Sequence, residues 1–341
     1  MEYTRDVDGF TVPPIPVSTG SRPQENIDFA SVAPSDATRF TRSSSRASGR
    51  SLVENPRYRD MSLFINHIYM RSFREEFPKH IVDLINRLRR DRDSPGPSQD
   101  QLWQDTTLEE LVMGVAEPEP LNRANRQPMV RHAVPNVGSN LKVSTPVPNM
   151  LYGYNRSQAF PQQEAQLISM GTEMIANNQP EGLLYPFFAI EFEGDSGSMW
   201  VATNQCLGAS ASCVKIAESL NNRLRNFQSD EIQLIDSAAF SMATNGSEAR
   251  LYISWKQNEV DYYIFLLQDP GHYLELRKYV RNIIYWGKGD RLNGIRKSLD
   301  ALLSGMKCKP STRRSRSKSN LMQGQSDEAE EYWGWDDTYE R

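Results

Sequence analysis

The chain has 341 residues, a net charge of −4 and an apolar fraction of 38%. A charge this close to balance excludes a whole-molecule field for nucleic acid, so any such contact must come from a local patch. A mean hydropathy of −0.62, spread unevenly along the chain, points to one folded domain with polar flanks rather than two cores.

The first 55 residues are rich in Ser, Arg, Thr and Pro, and RFTRSSSRASGRS has no apolar periodicity. This segment is expected to be disordered. A single domain is expected over 56–305, with its core at about 146–305. From Leu63 to Leu88, apolar residues recur at steps of three and four, which predicts one or two amphipathic helices broken near Pro78. A helix follows over Leu102–Val115, with Thr107 before its Leu-Glu-Glu-Leu turn, and residues 117–140 read as a long connection.

PNMLYGYN (148–155) predicts a short strand, and Gln162–Ala176 a helix. LLYPFFAIEFE (183–193) is almost wholly apolar, as in a buried central strand. Ala202, Cys206, Ala209, Cys213, Ile216, Leu220, Leu224 and Phe227 then keep a 3.6-residue period. They predict a long helix over 199–227 whose small residues lie close on a sheet. LIDSAAFSMAT and EARLYISWKQ are strands joined at Asn245-Gly246, a hairpin signal, and DYYIFLLQ is a further strand. Helices over His272–Tyr285 and Arg291–Leu303 complete the pattern. The fold expected is α/β, a mixed central sheet flanked by helices, with extra N-terminal helices. Residues 306–341 read as a disordered tail. KCKPSTRRSRSKS carries six Lys or Arg in thirteen residues, and the acidic end contains Trp333 and Trp335.

The cysteines Cys206, Cys213 and Cys308 and the histidines His67, His80, His132 and His272 show no metal-ligand spacing. Cys206 and Cys213 lie roughly 10 Å apart along one helix, too far for a disulfide, and read as core. No run approaches the ~18 apolar residues of a membrane helix. The opening MEYTRDVDGF lacks the apolar stretch of a secretory signal. Nucleus or cytoplasm is the expected location, with no membrane partner.

Period-2 geometry puts Glu191 and Glu193 on one face of the predicted central strand, opposite Phe188, Ile190 and Phe192. Asp195 continues that parity, and Asn149 reaches the same face if the strands at 148–155 and 183–193 pair. PVPNMLYGYN, YPFFAIEFEGD, SMWVATNQCLGASASCVKIAE and the SWK…DYY region are similar to a fungal domain family of unknown function over roughly 55–305. That family resembles the PD-(D/E)XK nucleases, which implies a restriction-endonuclease-like sheet. It also implies a site in which an Asp and a Glu hold Mg²⁺ or Mn²⁺ and a Lys stabilises developing charge. Carried over by position, the Asp place is Asn149, the Glu place is Glu191 and the Lys place is Glu193, with Gln205 supporting from the next helix. Two of the three core positions depart. Asn149 is neutral, and Glu193 puts a negative charge where a cation belongs.

The resemblance therefore implies a degenerate nuclease-like domain that retains nucleic-acid or protein binding. Its alternatives are an active nuclease with a rearranged site, completed by Lys215 or Lys256, and a non-enzymatic interaction module whose tails act. Beside these stand plainer readings of the same residues. Glu191 and Glu193 can be a solvated sheet face, Asn149 a turn residue, and Gln205 a cap on a buried backbone group.

Overall fold

The computed structural model describes residues 4–5, 11–12, 52–72, 74–91, 120–178, 182–194, 197–226, 233–245, 248–258, 261–268 and 273–307. Two contact units divide the chain at residue 48. In the first, β1 (Thr4–Arg5) pairs antiparallel with β2 (Thr11–Val12). The expected disorder of 1–55 and 306–341 bears on residues that, short pieces apart, lie outside the described ones. The predicted helix over Leu102–Val115 lies outside them as well.

The second unit is built on a seven-stranded mixed sheet in the order β3-β9-β8-β7-β6-β5-β4. The strands are β3 (Ile68–Arg71), β4 (Leu121–Asn125), β5 (Met150–Tyr154), β6 (Leu184–Phe192), β7 (Ala239–Thr244), β8 (Ala249–Lys256) and β9 (Tyr262–Gln268). β6 runs parallel to β7, and β3 parallel to β9; the other neighbours are antiparallel. The helices are α1 (Lys79–Arg89), α2 (Arg156–Ala159), α3 (Glu164–Met170), α4 (Met199–Arg225), α5 (Tyr273–Trp286) and α6 (Leu292–Lys307). A π turn over Gly287–Arg291 joins α5 to α6.

α4 is the crossover between the parallel pair β6 and β7, as such pairs require. Ala, Ser, Cys and Gly residues let it lie close to the sheet, and Cys206 and Cys213 are fully buried free thiols. A Cβ at Gly208 would touch Pro146 and Val143 at 3.5 Å, so the 143–146 segment covers the helix from outside. On the other face, Trp286 of α5 packs edge-on against Phe240 of β7, and Phe77, just before α1, packs against Trp255 of β8.

The expected helical stretch from Leu63 is corrected. A helical turn ends at Asn66, His67 adopts φ 59°, and Ile68–Arg71 forms an edge strand on β9. Its aromatic and branched residues suit either state, and the open edge of β9 decides between them. The connection expected over 117–140 contains β4, which pairs antiparallel with β5. The helix expected over 162–176 stops at Met170, where Gly171 turns the chain with φ 66°.

Candidate functional site

The β5–β6 pairing aligns Met150 with Ile190 and so brings Asn149 to the end of β6. Asn149 Oδ1 accepts the backbone N–H of Phe192 at 2.9 Å. The Asn149 carbonyl in turn accepts from the Arg126 N–H at 3.1 Å. Asn149 thus acts as a wedge that ties β6 to β5 and to the residue after β4.

Glu191 lies at the same place but beneath α4, only 2% exposed. Its Oε1 has no hydrogen-bond partner. Burial pushes its carboxyl up to about 8; the Asn149 backbone N–H opposes the shift and the Glu193 charge adds to it. Near neutral pH the group is therefore largely a neutral acid. Cys206 of α4 is its buried neighbour, and burial together with the Glu191 charge holds that thiol well above its ordinary range.

Glu193 is half-buried just past the strand, where its N–H donates to the Thr244 carbonyl at 2.8 Å. The chain folds back so that a Cβ at Gly197 would collide with the Glu193 Cβ and meet its Oε2 at 2.8 Å, so only glycine fits there. Glu193 and Gln205 line one open groove with Val53, Glu54, Trp200 and Val201. The structure thus brings together Asn149, Glu191 and Glu193, and sets Gln205 across a groove from Glu193. Asp195 lies outside the described residues.

Neither candidate lysine reaches this place. Lys215 Nζ donates to the Val134 carbonyl at 2.9 Å, about 15 Å along α4 from Gln205. Lys256 ends β8 opposite Tyr262 and lines a hollow with Glu218 and Arg225.

Two cations that sequence reasoning missed lie nearer. Arg59 stacks 3.8 Å over the Trp200 ring, and its Nε donates to Asn204 Oδ1 at 2.6 Å. Burial is the main force lowering its pKa, and Arg250 adds to it. Arg250 shares a row across the sheet with Ala243 and Glu191, two strands and about 10 Å from Glu191, and is held by Glu248. Neither residue carried a periodic or motif signal.

The described donors do not fit a catalytic divalent ion. Glu191 is buried and largely protonated, and the Asn149 amide oxygen is engaged by the Phe192 N–H. Among the described residues, no three His, Cys, Asp or Glu side chains gather closely enough to hold an ion. Nor, among those residues, is any helix long and apolar enough to cross a membrane.

Residues 97–299 match the family described as Domain of unknown function (DUF7924). No curated protein and no solved structure matches the chain.

Proposed function

The chain belongs to the DUF7924 family, which spans more than half of its length, and we propose that its domain is a PD-(D/E)XK-like fold that has lost phosphodiester cleavage and works by binding. One observation carries this reading: Asn149, Glu191 and Glu193 meet at one sheet end, and each holds a group unsuited to the chemistry. Asn149 is uncharged and occupied by a backbone N–H. Glu191 is a buried acid near its neutral form. Glu193 sets a carboxylate where a phosphate would need a cation. Removing one preorganised electrostatic group costs about 10²–10³ in rate, and groups that act as a unit do not add simply.

Nucleic acid is the proposed partner, and Mg²⁺ or Mn²⁺ plays no catalytic part in the wild-type chain. The basic 307–319 segment serves as a nuclear import signal, which places the protein in the nucleus. The test incubates the full chain with supercoiled plasmid and structured RNA in Mg²⁺ or Mn²⁺. Fluorescence anisotropy with labelled oligonucleotides at two salt concentrations runs beside it. The expected result is salt-dependent binding without cleavage. Robust cleavage overturns the loss of activity. Absence of binding transfers the domain to a protein-interaction role, a second reading favoured by Trp200, which is 37% exposed on the groove.

A further inference from the structure

A second cavity lies at the other end of β6. Leu184, the first residue of that strand, lines it, and Glu191 is seven residues further on, roughly 23 Å away at strand rise. Its polar wall consists of Arg131, His132, Arg156, Thr172, Asn177 and Asn178, and among the described residues no carboxylate lines it. Glu173, the acid beside Thr172, is held by Arg223 Nε and Nη2 at 2.9 and 3.0 Å and so does not neutralise the wall.

One side chain in this wall is costly to explain by the protein alone. Asn177 is 1% exposed. Its Oδ1 accepts the Leu183 N–H at 3.2 Å, which fixes the amide orientation and leaves Nδ2 as the donor. That Nδ2 is buried without a partner, and an orphaned buried donor is disfavoured. His132 Nε2 lies 3.0 Å from the Thr172 carbonyl. A carbonyl only accepts, so Nε2 carries the proton, and this bond fixes the ring beside the cavity.

We propose that this cavity is an oxyanion site for a phosphate monoester, held by Arg131 and Arg156 with the Asn177 amide as its buried donor. Guanidinium groups match the planar pairs of phosphate oxygens, and a phosphate has acceptors enough to satisfy the Asn177 N–H as well. The site is independent of the degenerate nuclease positions. Its ligand is a free phosphate, a phosphorylated small molecule or a phosphorylated strand end, which share this chemistry.

The test is isothermal titration calorimetry on the full chain. The probes are inorganic phosphate, a nucleoside 5′-monophosphate, and one oligonucleotide with and without a 5′-phosphate. Saturable binding of inorganic phosphate and of the nucleoside monophosphate is expected, the 5′-phosphorylated oligonucleotide should bind more tightly than its unphosphorylated twin, and the tightest probe identifies the source. Arg131→Gln and Arg156→Gln, changes at accessible positions that leave the core intact, should each weaken binding about tenfold or more. Asn177→Asp keeps the acceptor for the Leu183 N–H but removes the donor and adds a like charge, so it should abolish binding. Lys79→Gln, at an exposed cation of α1 that does not line the cavity, should leave binding unchanged. The proposal is overturned if neither inorganic phosphate nor the monophosphate binds saturably and the 5′-phosphate adds nothing to oligonucleotide binding, or if both arginine variants bind phosphate as the wild type does.

Discussion

Asn149 Oδ1 accepts the backbone N–H of Phe192 at 2.9 Å. The side chain that the proposed nuclease likeness would put at a metal-ligand position is thereby spent on holding two strands together. An Asp at this position keeps the same bond, because either carboxylate oxygen can accept it. The architecture around Asn149 therefore does not require the amide, and the charge can be restored without loss of the strand contact.

That makes reversion the direct test of the degenerate reading. Asn149→Asp with Glu193→Lys restores one anionic ligand and one cation. The double variant should gain Mn²⁺-dependent plasmid nicking, and adding Glu191→Ala should abolish it. Single variants should fall well short of the pair, because the groups act as a unit. A folded double variant as inert as the wild type would count against the nuclease ancestry of the site.

Glu191 gives the fold a pH dependence of defined sign. Its folded pKa is raised from 4.5 to about 8 by burial. Its protonated form therefore contributes stability that is fully present below about 4.5 and is lost as pH rises through about 8. At 1.36 kcal/mol per unit, the full shift corresponds to at most about 5 kcal/mol, and relaxation of the site reduces it. Glu191→Gln keeps the shape without the ionisation. Denaturant titrations at pH 5 and pH 8 should show the variant gaining on the wild type at the higher pH by on the order of 1–3 kcal/mol. Parallel stability curves for the two proteins would refute the buried-acid assignment.

Much of the core was legible because its signals are local. The run at 183–193 and the 3.6-residue stripe after it became β6 and α4 within about two residues. Strand parity placed Glu191 and Glu193 on one face of the strand, and the register with β5 brings them beside Asn149. Parity did not reveal that α4 would bury Glu191 and leave Glu193 on a groove, since that depends on where the helix lies. The edge strands β3 and β4 escaped for the same reason: Ile68–Arg71 is a strand only because β9 offers a free edge. Arg59 and Trp200 meet across 141 positions of sequence through a stacking contact that no spacing rule encodes.

Asn204 ties the segment before β3 to the main helix. Its Nδ2 donates to the Val53 carbonyl at 2.8 Å, and its Oδ1 accepts from Arg59 Nε at 2.6 Å. Asn204→Ala should release residues 52–63 from α4 at a cost of about 2–3 kcal/mol, because a buried carbonyl and a half-buried guanidinium lose their bonds together. Limited proteolysis should then cut after Arg57 or Arg59 faster than in the wild type. Hydrogen exchange should rise there and stay unchanged in β6. Equal protection of 52–63 in both proteins would show that Val53 and Tyr58 alone hold the segment.

One tyrosine hydroxyl ties β5 to the π turn between α5 and α6. Tyr154 OH donates to the Gly287 carbonyl at 2.7 Å and accepts from Arg291 Nη1 at 3.3 Å. Arg291 is 3% exposed; it also donates to the Tyr185 carbonyl at 3.1 Å and sits 5.4 to 5.7 Å from the rings of Tyr154, Phe187 and Trp286. One hydroxyl thus serves a carbonyl of the π turn and a buried cation at once. Tyr154→Phe removes both bonds without changing shape and should cost about 1–3 kcal/mol. Gly287→Ala should cost at least as much by another route, because its Cβ would land in the Phe187 ring, and overpacking a filled core forces the backbone to shift. In a domain of this size each loss should lower the melting temperature by roughly 2–4 °C per kcal/mol. The two substitutions act on one turn, so their costs should fall short of additivity when combined. A Gly287→Ala protein as stable as the wild type would mean that the helix and the Phe187 ring are free to separate, and that the π turn is not fixed by this contact.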